Sequence, residues 1–119
     1  MRSLGFAATF LAALTFIGCH SRYIAATVVN RSSAAISPLE VDYPSASFGV
    51  ESLAPGATFH YRFKVLGDGP TAVLWTDAAH RDYKSTGPQL REGDEGSLTI
   101  IIGGDPHPAW DLELANRRP

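Results

Sequence analysis

The sequence predicts an all-β fold, a two-sheet antiparallel β-sandwich of about seven or eight short strands. Three observations lead there. No stretch beyond residue 22 sustains the three-to-four-residue apolar period of a surface helix. Short runs instead alternate apolar with polar residues, as a strand with one dry face requires. Clusters of Gly, Pro, Asn and Asp punctuate these runs at spacings near ten residues, where turns are needed. A chain of 119 residues with 45% apolar and 18% charged side chains has the size and composition of one globular domain.

The strands follow in order. Residues 23–30 are rich in β-branched side chains and close on Asn30-Arg31-Ser32-Ser33, whose side chains can bond nearby backbone in a turn. Leu39, Val41 and Tyr43 alternate with Glu40 and Asp42, and Pro44 ends that run. Ala54-Pro55-Gly56-Ala57 places Pro and Gly as a type II turn requires. It leads into 58–65, where Phe59, Tyr61, Phe63 and Val65 are expected inside and Thr58, His60, Arg62 and Lys64 outside. Gly67-Asp68-Gly69-Pro70 turns the chain into 71–76, and a turn at 77–80 leads into 83–86. An acidic loop is expected over 87–96, then a strand over 97–102, a break at Gly103-Gly104-Asp105-Pro106, and a last strand with Trp110, Leu112 and Leu114 on one face. Trp110 is expected in the core. The domain should span 23–114, with 115–119 a frayed tail.

The first residues carry an address rather than a strand. Met1-Arg2-Ser3 is a short cationic start, and Leu4 to Ile17 is an uncharged apolar run. Fourteen residues of helix would span only ~21 Å, short of the ~30 Å that a permanent membrane helix crosses. The run ends in Phe16-Ile17-Gly18-Cys19, which resembles the lipobox of bacterial lipoproteins, with Phe16 where Leu is usual. That resemblance implies a signal peptide over 1–18, cleavage between Gly18 and Cys19, a lipid on Cys19, and a tether over 19–22. It further implies a lipid-anchored location in the bacterial envelope facing the periplasm or exterior, and the outer membrane if the host has one. Ordinary signal cleavage near Ser21 would leave a secreted domain instead. Cys19 is the one cysteine of the chain, so a mature domain lipidated there has no disulfide and relies on its core alone.

The strand spacing over 23–114 resembles the immunoglobulin-like and transthyretin-like sandwiches. That likeness implies architecture and carries over no functional residue, because such sandwiches host unrelated activities. No internal repeat is visible.

Several groupings invite a chemical reading. His20, His60, His80 and His107 lack the close spacing of a metal site and are expected solvated or in turns. Glu92, Asp94 and Glu95 offer oxygens in one loop, but their spacing matches no calcium-loop pattern. Neither a Gly-x-Ser-x-Gly elbow nor a Ser-x-x-Lys pair is present, and no two carboxylates stand out as a hydrolytic pair, so no catalytic residue, metal or cofactor is assigned. The formal charge of -2 speaks against nucleic acid as a partner. Candidate surface contacts are the basic stripe His60, Arg62 and Lys64, which could touch anionic headgroups or envelope polymers, and Trp75, which could serve a glycan or peptide. The simpler expectation for the stripe is that it is solvated or faces Glu40 and Asp42 across a sheet. Together these features lead to a non-enzymatic, membrane-tethered domain that binds an envelope protein or glycan or plays a structural part there.

Overall fold

The computed structural model describes residues 22–103 and 107–115. The signal segment, Gly18, Cys19, His20, the 104–106 break and tail residues 116–119 lie outside the described residues. Eight strands follow one another: β1 Ile24–Asn30, β2 Leu39–Tyr43, β3 Ala46–Val50, β4 Thr58–Phe63, β5 Gly69–Thr76, β6 Asp82–Leu90, β7 Gly96–Ile102 and β8 Ala109–Leu114. They form two four-stranded sheets, ordered β4-β1-β7-β8 and β3-β2-β5-β6. The fold is an all-β sandwich. Lettered A to H, its sheets are DAGH and CBEF, whereas antibody constant domains group their strands as ABED and CFG. Every pairing is antiparallel except the central one, β1 with β7, which is parallel from Ile24↔Gly96 to Asn30↔Ile102.

Alternation explains the layering. In β1, Ile24, Ala26 and Val28 are buried while Ala25 is exposed, and in β7 Leu98, Ile100 and Ile102 are buried. Leu39, Val41 and Val73 meet them from the other sheet, with Ile36, Phe48, Leu53, Phe63, Val65 and Leu90 completing the core. Aromatic rings close the two open sides. On the β4 side, Tyr43 of β2 stacks on Phe63 at 4.0 Å and Phe48 of β3 on Tyr61 at 4.5 Å between centroids. Between β6 and β8, the half-buried Trp110 donates its Nε1–H to Ser85 Oγ at 3.2 Å. That ring lies so flat on Gly87 that a Cβ there would stand 2.5 Å from it, so only glycine fits beneath the indole.

The turn at 54–57 forms as the sequence predicts, with the Ala57 amide donating to the Ala54 carbonyl at 3.0 Å and Gly56 at φ 80°. Asn30 fills its expected turn role, its Oδ1 accepting the Ser32 amide two residues on, and does more. It ends β1 fully buried, and its side chain is bonded on every side. Its Nδ2 donates to the carbonyls of Ala34 (3.0 Å) and Leu53 (2.9 Å), and its Oδ1 accepts from the amide (3.0 Å) and hydroxyl (2.6 Å) of Ser32.

Four expectations are corrected. Strand β3 was not anticipated, because Ala-Ser-Phe-Gly-Val presents one buried side chain, Phe48, and hence no alternation to see. Strand β6 runs on through Gly87-Pro88-Gln89 to Leu90, the first four residues of the expected acidic loop. Proline is tolerated there because β6 is an edge, and the ladder shifts register between Pro70 and Ala72. Tyr61 is 42% exposed rather than inside, since it projects at the sandwich margin, where it stacks on Phe48. Finally, the basic stripe cannot face Glu40 and Asp42 across a sheet. Those carboxylates sit on β2 in the other sheet, and the neighbour of β4 is β1.

Candidate functional site

The register defines two ends. One holds Ile24, where β1 starts, with Phe63, Gly96 and Leu114 beside it. The other holds Asn30, together with the 31–37, 51–57 and 77–81 loops, tied by the Asn30–Leu53 bond, the Ile36↔Leu53 bridge and the Ser37 amide donating to the Thr76 carbonyl.

At this Asn30 end, the sheet β3-β2-β5-β6 carries an open cleft of about 280 Å³ lined by Pro38, Glu40, Leu74, Trp75, Thr76, Asp82 and Tyr83. Alternation puts Glu40 and Leu74 on the outward face, since Leu39, Val41 and Val73 point into the core. Asp82 is held by the Thr76 hydroxyl, which donates to Oδ1 at 2.6 Å. Glu40 is pushed above the usual carboxylate value by its hydrogen bond to Asp42 and by that neighbour's charge. Trp75 and Tyr83 stack at 5.2 Å with planes 18° apart. Trp75 also packs on the core, so it is half-buried and not the free platform that a surface contact suggests. Tyr83, 37% exposed, is the more accessible ring.

Asp77 fixes the loop beside the cleft. Its carboxylate accepts from the amides of Ala79 (2.9 Å) and Arg81 (3.0 Å), from Arg81 Nε (3.3 Å) and from the Tyr83 hydroxyl (2.8 Å). These donors, the Arg81 amide foremost, hold it below the ordinary aspartate value, and the same bond pushes the Tyr83 phenol up. A second groove of about 370 Å³ runs along β3 past Ser47, Gly49 and Glu51 and shares Pro38 and Glu40 at the seam. The two shallow sites thus adjoin as one extended channel with acidic and apolar walls.

The stripe His60, Arg62 and Lys64 lies exposed on the outward face of the other sheet. It is not simply solvated. Arg62 sits 4.4 Å and Lys64 5.7 Å from the centre of the Tyr23 ring, both within cation–π reach, and His60 Nδ1 is 3.2 Å from Thr27 Oγ1. The sequence did not single out Tyr23, and nothing along the chain shows that it would meet cations from β4.

Among the described residues no three His, Cys, Asp or Glu side chains gather as metal ligands. Within the acidic loop, Asp94 is buried and its Oδ2 accepts the Arg91 amide at 2.8 Å, while Asp68 accepts the Glu92 amide at 2.9 Å from the neighbouring loop. The acids there fold the loop back on itself. The cleft residues Pro38, Glu40, Leu74, Asp82 and Tyr83 escaped the sequence because neighbours on three strands assemble them.

Fold and site together define a small β-sandwich with a groove on one outer face. No protein-family model matches the chain, and no curated protein matches it. A solved structure does: the NMR structure of a protein from Eubacterium rectale is similar at a TM-score of 0.57 and 9% identity, covering 83% of this chain and 98% of that one. At that identity the likeness is one of fold.

Proposed function

We propose that the chain is a lipid-anchored, non-enzymatic binding module of the bacterial cell envelope, exported through its 1–18 signal and acylated on Cys19. The observation that carries this reading is how soon folding starts after the lipobox. Ile24 is already paired on both sides, with Phe63 and Gly96, so residues 20–23 alone separate Cys19 from a central strand. Four extended residues reach ~14 Å at most, which keeps the Ile24 end against the headgroups and turns the Asn30 end, with its cleft, outward. Two or more acyl chains at ~0.8 kcal/mol per methylene give durable anchoring. The cations of the stripe are engaged with Tyr23, which supports anchoring by lipid rather than by charge. Metabolic labelling with an alkyne fatty acid and mass spectrometry of the N-terminus test this. A lipidated Cys19 is expected, with Cys19→Ala leaving the membrane fraction and Arg62→Glu with Lys64→Glu remaining there. An unmodified N-terminus near Ser21 would overturn it.

The cleft favours a glycan or peptide as the bound component. Its apolar Leu74 and Pro38 and the acceptor carboxylates of Glu40 and Asp82 combine apolar contact area with hydrogen-bond acceptors, and its continuation along β3 suits a ligand of several units. Amide chemical-shift mapping with envelope oligosaccharides and peptides should move Glu40, Leu74 and Asp82 together, and Leu74→Ala should weaken the response. Shifts confined elsewhere would remove the cleft from the reading.

A further inference from the structure

The outward face of the sheet β4-β1-β7-β8 has a charge pattern that the ladder registers make unusually orderly. Two full rows cross it: Arg62, Ala25, Ser97 and Glu113 form one, and His60, Thr27, Thr99 and Asp111 the next. Each row starts basic on one edge strand and ends acidic on the other, with only small neutral side chains between. A third row, Thr58, Val29, Ile101 and Ala109, is uncharged and largely apolar. No ion pair joins Arg62, Lys64, Asp111 or Glu113 to another described residue, so both rims stand unneutralised within the molecule.

We propose that this face pairs with the same face of a second copy, about a two-fold axis that lies between the sheets and runs along the strands between β1 and β7. A rotation about that axis exchanges left and right rims but keeps the position along the strand. Arg62 then meets Glu113 of the other copy, His60 meets Asp111, and each contact occurs twice, as an isologous interface requires. Across the middle, Ala25 lies over Ser97, Thr27 over Thr99 and Val29 over Ile101, side chains small enough for two sheets to approach closely, while the Tyr23 ring beneath Arg62 stands at the Ile24 margin of the patch. The other in-plane axis, across the strands, sets Arg62 and His60 against their own kind, so the charges select the first.

That axis has a second consequence, which rests on the anchoring proposed above. Because it preserves strand direction, both Ile24 ends point the same way, and two lipidated tethers leave toward one membrane. The excluded axis would send them apart. Four strands ~4.8 Å apart and about six residues at ~3.3 Å give a footprint near 19 by 20 Å. A patch of that size falls short of the ~800 Å² per partner of a standard stable interface, so the pairing is weak in dilute solution and gains from confinement on a membrane.

Sedimentation of the full-length chain in detergent, over a concentration series, tests the pairing by charge exchange. Arg62→Glu alone and Glu113→Arg alone should each weaken the dimer about tenfold or more, since each turns two attractions into repulsions. An equal mixture of the two variants should regain the wild-type affinity. In the mixed pair the acid introduced at position 62 of one copy faces the base introduced at position 113 of the other, while the unchanged Arg62 and Glu113 still meet across the axis. A fold defect in either variant cannot be rescued in that way. Added salt should weaken the wild-type dimer by screening the rims. A wild type monomeric at every concentration, single variants that associate like the parent, or a mixture that stays apart would each overturn the proposal. Cys19→Ala, run alongside with the fatty-acid label, separates the two readings. Loss of label with the charge-exchange pattern intact leaves the interface standing, and failure of the pattern in labelled protein removes the interface while the anchor stands.

Discussion

Replacing Asn30 with Ala should unfold this domain more readily than any other single polar-to-Ala change, and the structure sets the size of the effect. Asn30 is fully buried, and its amide uses both donors and both acceptor positions. Truncation takes away the acceptor of the Ser32 amide and removes one of two donors from each of the Ala34 and Leu53 carbonyls; the Ser32 hydroxyl keeps the Ala34 carbonyl at 2.8 Å and the Ile36 amide keeps the Leu53 carbonyl at 3.1 Å, which softens both of those losses. An orphaned buried group costs ~1–3 kcal/mol, so the Ser32 amide together with two carbonyls that each lose one of two bonds gives about 2–4 kcal/mol. That is a large share of the ~5–15 kcal/mol that holds a typical domain. Urea unfolding followed by tryptophan fluorescence measures it, with the midpoint expected to fall and the slope to hold. Asn30→Asp separates hydrogen bonding from size. It preserves shape but replaces the donating amide with a carboxylate facing two carbonyls, which raises its folded-state pKa. Stability of that variant should therefore improve as pH falls and the acid gains a proton to donate. An Asn30→Ala midpoint within error of the parent, or an Asn30→Asp protein indifferent to pH, would show that water satisfies this corner and that the reasoning from bond count is wrong.

Two further outcomes follow from the aromatic margin and the Asp77 loop. Phe63→Ala should cost about 3–5 kcal/mol, because the ring is 3% exposed and stacked on Tyr43, whereas Tyr61→Ala should cost far less, being 42% exposed on the same strand face; equal midpoints in thermal melts would contradict the placement of β4. The depressed Asp77 value means that the folded loop favours the carboxylate. Its contribution is fully present above the ordinary aspartate range and is lost as pH drops through the lower folded value, so amide exchange at Ala79 and Arg81 should accelerate only in acid, and Asp77→Asn should show that faster exchange already at neutral pH.

How far the sequence could be read depends on whether a residue's role is set locally. The 58–65 run announces its inward face because Phe63 and Val65 alternate with charges, and Pro55-Gly56 announces its turn because φ and donor chemistry belong to those residues alone. Phe48 gives no such sign. One buried ring among Ala, Ser and Gly forms a strand only because β2 is already in place to pair with it. Asn30 was legible as polar and near a turn, yet its partner Leu53 lies far along the chain, so nothing local separates a turn asparagine from a buried clasp. Glu40, Leu74 and Asp82 illustrate the same limit for the site. Each looks like an ordinary outward strand residue until the ladders of β2, β5 and β6 bring them side by side. Tyr23, Arg62 and Lys64 likewise meet only through the β1·β4 register.

The parallel bond between β1 and β7 also governs when the molecule can exist. Ile24 must wait for Gly96, and nearly the whole domain is made between them. The three hairpins, β2 with β3, β5 with β6 and β7 with β8, can each close early over short loops, but the strand on which the first sheet is centred has no parallel neighbour until almost the last residues are present. Topologies dominated by such distant pairings fold on the millisecond-to-second scale rather than in microseconds. During that interval Ile24, Ala26, Val28 and the ladder edge beside them stay open to any other extended chain. A chain delivered N-terminus first therefore presents its stickiest strand at the outset and covers it at the end, so its yield should depend on how crowded its neighbours are while it waits.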